Sequence, residues 1–408
     1  MSEGSGEAVY YYFFTIGQDP KSNFKRAKPK IIMAELFNTP LLGMYFHYIV
    51  FFMVLWSVIQ CARGVVFDNQ IVAIDQILGM LVAVVIIVIL GMRPISSTYG
   101  DTVNYAAGFD HMVRHPELQH LVWEKEWLYE NITRICAKTG SIHLYFTIFA
   151  TLYVGALWLA LRRIFSEYNF IPFVVVISMF TFWAYGANGI RNGVGASLFI
   201  LAMTYTENIP MMIIIALMGA GVHNTVYLMM AAALLAWFIN DSRLFIAAWF
   251  LCIIISFFLG NSIQSWMAGF ADSVADENKL TKYLTYSEQD MIADGLIVST
   301  SFRWDFLAYS GLGVAVAAYF LYRRLFQDEY YRWIVNIYII CNAFWVLIIR
   351  APYSNRFAQI SWFILPIVLI YPFMRERFWV NQERMLAVGI LMFYAFGFVT
   401  NMLPILMG

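Results

Sequence analysis

Apolar residues in this chain gather into long runs separated by short polar breaks, rather than alternating or recurring along one helical face. Runs of roughly 18 to 22 residues are what an α-helix needs to cross the ~30 Å hydrocarbon core of a bilayer. The pattern predicts about twelve spanning helices, at 41–62, 72–92, 142–161, 170–187, 190–206, 209–222, 223–239, 243–260, 304–322, 333–349, 357–374 and 385–407. Division is least marked over 170–239, where only Asn188-Gly189, Asn208-Ile209-Pro210 and His223-Asn224 interrupt the apolar sequence. Three polar stretches remain: a tail over 1–40, a loop over 93–141 and a loop over 261–303. No repeat of fixed period is visible. The expectation is an all-α polytopic integral membrane protein in which 41–408 forms a single membrane domain.

Composition sharpens that reading. The chain is 61% hydrophobic, 18% aromatic and 13% charged, where soluble domains carry about a quarter charged residues. Its 26 basic and 26 acidic residues cancel, leaving no basic excess for nucleic acid, and no nucleic-acid partner is expected. Cys61, Cys252 and Cys341 fall in or beside apolar runs and Cys136 in the first long loop, so no disulfide framework is available there. The opening residues carry no positive charge and the apolar stretch Val9–Ile16 is short, which argues against a cleaved signal peptide.

Lys and Arg in short loops mark the cytoplasmic side of a membrane protein. One side holds Arg63, Arg162, Arg163, Arg243, Arg323, Arg324, Arg332, Arg375, Arg377 and Arg384, the other only Arg191, Arg350 and Arg356. The first set is expected in the cytoplasm and both long loops outside. The tail runs against this count, because Lys21, Lys25, Arg26, Lys28 and Lys30 would then lie outside too.

Candidate chemistry sits at the outer ends of the spans, since charge at membrane depth is costly and marks a partner or a pathway. After the second span, Arg93 stands at the membrane edge and Gly100 permits a tight turn before Asp101. Asn104 and Tyr105 follow with hydrogen-bonding and stacking groups that suit a sugar; an ordinary interfacial loop with a snorkelling arginine reads the same way. Glu124, Glu126 and Glu130 surround Trp123 and Trp127, a combination found both in carbohydrate sites and at membrane interfaces. Gly189, Gly193, Ala196 and Ser197 are small enough for close helix packing. Arg191, at the start of the same helix, adds a guanidinium to its positive pole and calls for an anion. His223-Asn224-Thr225 opens the seventh span with a group able to take a proton, or with a simple capped helix end. Arg350 and Arg356 flank Pro352, and Arg303 at the end of the second loop adds to them. Their fork geometry fits phosphate, whether of a substrate or of lipid headgroups. His47 has no polar neighbours at helical spacing, and His111, His115 and His120 make no metal-ligand pattern, so no metal site is expected.

In their order along the chain these motifs resemble the EpsG-type family of exopolysaccharide and O-antigen repeat-unit polymerases, also called Wzy-like polymerases. The matching pieces are Arg93 with Gly100-Asp101-Thr102 and Tyr105, Glu126 with Tyr129, Gly189-Ile190-Arg191-Asn192, Val222-His223-Asn224 and Asn355-Arg356. Asn192-Gly193 departs from the glutamine-containing continuation more usual after this arginine. The resemblance implies a fold akin to the lipid-dependent, GT-C type glycosyltransferases. It implies transfer of a growing glycan from undecaprenyl diphosphate to the non-reducing end of a lipid-linked repeat unit, at the periplasmic face of the bacterial inner membrane, with no cofactor and no metal. Partners would be the undecaprenyl-diphosphate-linked oligosaccharide, membrane lipids and a chain-length regulator protein. Arg191, Arg350 and Arg356, with Arg93 and Arg303, would stabilise the diphosphate. His223 or Asp101 would act as base, and Glu126, Tyr105 and Asn104 would hold the acceptor glycan. In the second loop, Trp266, Phe270 and Tyr283 would stack on the glycan or belong to an amphipathic helix on the bilayer. Two rivals remain: an O-antigen ligase-like glycosyltransferase, and a lipid-linked glycan flippase, which calls for polar groups through the bilayer and broken helices near its midplane.

Overall fold

The computed structural model describes residues 42–274, 302–351 and 354–407, with side chains over 42–260, 302–351 and 354–402. The regular elements among them are all helical. In order they are Leu42–Arg63 (α1), Asn69–Gly91 (α2), Thr102–Arg114 (α3), Trp127–Ala137 (α4) and Ile142–Phe165 (α5). Phe170–Ser178 (α6), Phe180–Ala187 (α7), Ile190–Met203 (α8), Ile209–Val222 (α9) and Thr225–Phe238 (α10) follow. Ser242–Val274 (α11), Trp304–Ala318 (α12), Glu329–Leu347 (α13), Asn355–Arg375 (α14) and Gln382–Met407 (α15) complete the described chain. Among the described residues, seven helices are long and apolar enough to cross a membrane, or eight if α6 and α7 form one broken span. The chain is a multi-pass membrane protein. α8 and α9 are apolar but only 14 residues each.

Three features differ from the pattern read along the sequence. The 93–141 segment contains two helices, α3 and α4, each turning a short apolar face inward through Phe109 and through Cys136 and Ala137. α11 continues past Gly260 to Val274, because the polar residues there include no proline to stop a helix. The side chains of Trp266 and Phe270, and all of Tyr283, lie outside the described residues, as does Pro352.

The third difference is the break between α6 and α7, which bends the expected 170–187 span by 72°. Met179 is extended there, at φ −71° and ψ 140°. No proline sits at the bend. Ser178 Oγ instead donates to the Val174 carbonyl at 2.7 Å, a side-chain bond that competes with the helical ladder. Of the backbone groups freed at the break, the Met179 N–H donates to the Val176 carbonyl at 3.2 Å and the Phe182 N–H to the Met179 carbonyl at 3.1 Å, and side chains from neighbouring helices add bonds to α7. Asn401 Nδ2 reaches the Phe180 carbonyl at 3.4 Å, and the Tyr153 hydroxyl donates to the Phe182 carbonyl at 2.9 Å. The Ser178 carbonyl lies so close to Gly397 of α15 that no Cβ would fit between them.

The helices form two compact units, one running to Val226 and resuming at Trp379, the other spanning Tyr227–Phe378. In the first, α5 packs on α2 and α8, and α15 packs on α1. Tyr145, Phe146, Phe149, Tyr153 and Leu157 of α5 are buried at its centre. In the second, α13 packs between α11 and α14. Buried polar side chains tie its helices together: Trp249 Nε1 donates to Asn342 Oδ1 at 2.8 Å, Asn342 Nδ2 to Ser361 Oγ at 2.9 Å, and Trp362 Nε1 to Ser310 Oγ at 2.7 Å.

The two ends of the first unit differ in kind. At one, Arg163 Nε donates to Thr204 Oγ1 at 2.8 Å, bringing the Arg162-Arg163 pair to the end of α8. At the other, the Thr102 hydroxyl faces the Ala187 carbonyl at 3.0 Å, bringing the start of α3 to the end of α7. Counting basic residues in the sequence separates these same two ends. Leu42, whose backbone is met by Tyr99, belongs to the second. The basic tail residues precede it and lie outside the described residues.

Candidate functional site

A set of residues at the second end first fixes the backbone. Arg93 is 1% exposed. Its Nη1 donates to the Leu90 carbonyl at 2.6 Å, its Nε to Thr102 Oγ1 at 3.1 Å, and its guanidinium lies 3.9 Å from the Phe146 ring centre. Burial pulls this guanidinium down to about 10. Gly100 takes a positive φ of 57°, and the Asn188 amide fills the space a side chain there would need. Asn188 Oδ1 then accepts from the Asp101 backbone N–H at 2.7 Å. Arg93, Gly100, Asp101 and Thr102 thus clasp their loop to Ala187-Asn188, immediately before the helix that carries Arg191. Arg93, expected at a diphosphate, is enclosed in this clasp and is not brought to the charged cluster described next.

That cluster joins three elements. Glu126 caps α4 in a left-handed conformation, φ 56° and ψ 35°, which residues other than glycine seldom adopt and which often marks a functional position. Arg191 comes from the first turn of α8, and His223 from the extended residue ending α9. Arg191 Nη1 donates to Glu126 Oε2 at 2.5 Å. His223 Nδ1 and, at 3.3 Å, the Asn224 backbone N–H both meet Glu126 Oε1. Arg191 also lies 5.1 Å from the Tyr129 ring centre and hydrogen-bonds Tyr105. Tyr129 and Tyr145 share a hydrogen bond of 3.1 Å, and Thr225 Oγ1 donates to Asn192 Oδ1 at 3.1 Å. Bare backbone allows this convergence. A Cβ on Gly221 would meet Trp127 Nε1 at 2.7 Å, and one on Gly195 would meet Val226 at 2.8 Å.

Burial opposes the negative charge on Glu126. The hydrogen bond and charge of His223, the charge of Arg191 and the Asn224 N–H outweigh it and hold the carboxyl down at about 2. An ionised carboxylate only accepts, so His223 Nδ1 carries its proton and leaves a lone pair on Nε2 whenever the ring is neutral. Burial pushes the Tyr105 and Tyr129 phenols up, keeping both as neutral hydroxyls. The arrangement can therefore take a proton at His223 Nε2 beside a fixed guanidinium.

The structure thus brings Arg191, Glu126, His223 and Tyr105 together. Asp101 and Asn104 hydrogen-bond each other at 3.1 Å at the start of the helix that carries Tyr105. In the second unit, Arg303 makes a two-pronged pair with Asp305 at 2.9 and 2.6 Å, a counter-charge the sequence reading passes over. Arg350 donates to the Phe257 carbonyl at 3.4 Å and lies 5.6 Å from the Phe302 ring centre. Arg356 occupies the first turn of α14. Asn188, visible in the sequence only as a break between spans, proves to be the anchor of the clasp.

An all-helical membrane protein with a carboxylate, an arginine and a histidine gathered at one end of its helices is the class these observations define. Among family models, that of the EpsG family matches the chain over residues 76–405, a range that includes all three cluster residues. The chain belongs to the EpsG family, and so to the membrane proteins of exopolysaccharide and O-antigen polymerase type. Comparison with curated proteins and with solved structures returns no match.

Proposed function

We propose that this chain lengthens a surface polysaccharide by moving the growing glycan from undecaprenyl diphosphate onto the non-reducing end of a new lipid-linked repeat unit. The observation that supports this best is the meeting of Glu126, Arg191 and His223, at the end of the first unit that charge counting assigns to the outside. In this reading the short apolar helices cross together with the long ones, about twelve crossings in all, in a GT-C type arrangement within a bacterial inner membrane.

The acceptor hydroxyl gives its proton to His223 Nε2 as its oxygen bonds to the sugar's anomeric carbon. The bond from that carbon to the diphosphate oxygen breaks, and its electron pair leaves with the lipid diphosphate. Arg191 stabilises the charge gathering on that leaving group. Glu126 holds the imidazole in the tautomer with a free Nε2 and stabilises the imidazolium that forms. Tyr105 and Asn104 remain as groups for the acceptor sugar. No metal enters this scheme.

The test is to incubate purified protein with synthetic undecaprenyl-diphosphate repeat unit, with and without EDTA, and to resolve the glycan on a gel. A ladder that survives chelation is expected, and it is lost in Arg191→Ala. Turnover that stops with EDTA would overturn the metal-free scheme, and normal ladders from both Arg191→Ala and His223→Ala would overturn the site. Transfer to lipid A core alone would make the chain a ligase. The break between α6 and α7 is the feature a flippase reading calls for. That reading predicts movement of the lipid-linked unit across proteoliposomes with no new glycosidic bond.

A further inference from the structure

The loop before α4 carries a pair of tryptophans that the proposed chemistry leaves unused. Trp123 is 79% exposed. Its ring lies against that of Trp127, with centroids 5.4 Å apart and planes tilted by 34°. The loop beneath it is fixed. Val122, the residue before Trp123, has both backbone groups held by the buried Asn131: its N–H donates to Oδ1 at 2.9 Å and its carbonyl accepts from Nδ2 at 2.8 Å. Trp127 is seated over Gly221, where a Cβ would meet its Nε1 at 2.7 Å. Glu126 stands between the two tryptophans in sequence, so the position of the exposed ring is tied to that of the carboxylate.

We propose that Trp123 is a stacking subsite for a sugar ring of the bound glycan, set back along the chain from the bond being made. The inference takes its ligand, a lipid-linked oligosaccharide, from the polymerase reading above. The chemistry of the contact is its own. A pyranose packs a face of C–H bonds on an indole while the hydroxyls at its edge seek polar partners, and His120, Glu124 and Lys125 are exposed within three residues of Trp123 along the chain. A bilayer anchor would need no fixed relation to Glu126, and it would sit among apolar neighbours. From His120 to Lys125, Leu121 is the other exposed apolar residue.

Because Trp123 is so exposed, Trp123→Ala is expected to fold normally. The full-length protein is placed in nanodiscs, and the probe is oligosaccharide freed by mild acid from the producing cell's own lipid-linked glycan. Trp123→Ala should bind it about tenfold more weakly, and Trp123→Phe should stay within about threefold of wild type. With the lipid-linked repeat unit, Trp123→Ala should form the first linkage at the wild-type rate yet shift the ladder toward shorter products, because a set-back contact is made only by longer chains. Unchanged oligosaccharide affinity in Trp123→Ala overturns the proposal whatever the ladder does, and so does a defect confined to binding of anionic lipid vesicles. Should no variant make a ladder while Trp123→Ala still loses affinity, the subsite stands and the polymerase reading falls.

Discussion

Each oxygen of Glu126 is held by a different cationic or potentially cationic partner, Arg191 on one and His223 on the other. An amide cannot imitate that, since its NH₂ group would face one of the two donors. Glu126→Gln is expected to lower glycan transfer by about 10²-fold or more, measured as initial ladder formation. Its stability effect has a defined pH range. The carboxyl is held near 2 in the folded protein against an ordinary value of 4.5. A lowered folded value stabilises the protein above the ordinary value, and that stabilisation disappears as pH falls through the interval toward 2. The melting-temperature gap between wild type and Glu126→Gln should therefore be full at neutral pH and close between about pH 4.5 and pH 2. A gap that persists unchanged at pH 2 would sink the assignment. His223→Gln keeps a polar side chain but offers no basic nitrogen, and should cost about 10²- to 10⁴-fold in rate with the melting curve little changed. Arg191 and His223 are each legible in the sequence as polar groups at the outer ends of apolar runs. Their meeting with Glu126 is not, because it joins positions 65 and 97 residues apart through a left-handed turn that Glu126 does not advertise.

Among the elements, long apolar runs declare themselves and short amphipathic helices do not. α3 and α4 carry only a few inward apolar residues each, with Pro116 between them, and along the sequence they read as loop. The break at Met179 is hidden for the opposite reason: Phe170 to Ala187 is almost wholly buried and apolar, and Ser178 and Thr181 beside the bend are small hydroxyl residues of a kind that spanning helices carry without breaking. What holds the break is local to the neighbouring helix. Gly397→Ala would push a methyl group into the Ser178 backbone, which has no rotamer with which to yield. That substitution should destabilise the protein by about 1–3 kcal/mol, read as a lower melting temperature in detergent. Gly108→Ala on α3, with nothing within 4 Å of the added carbon, should instead be neutral or stabilising by up to about 1 kcal/mol. Equal losses in the two variants would mean that the contact at the break is unimportant.

For the whole molecule, the count of basic residues and the packing of helices divide the first unit into the same two ends, one with Arg163 and Thr204 and one with Asp101 and Asn188. Sidedness then becomes measurable. Lys138→Cys, exposed just after α4, should react with a membrane-impermeant thiol reagent in intact spheroplasts, while Arg377→Cys, exposed after α14, should react only once the membrane is opened. The reverse pattern would invert the proposed topology. α8 and α9, whose ends carry Arg191 and His223, are 14 residues long, a rise of about 21 Å against a hydrocarbon core of ~30 Å. As crossings in the proposed twelve-span arrangement, elements that short would oblige the bilayer to thin around them, or the groups at their tips to sit below the plane of the headgroups. In the proposed reaction, depth then becomes part of recognition: the cluster would wait at the level where a polyprenyl lipid already carries its phosphates, and the long tail would stay dissolved in the membrane throughout the transfer.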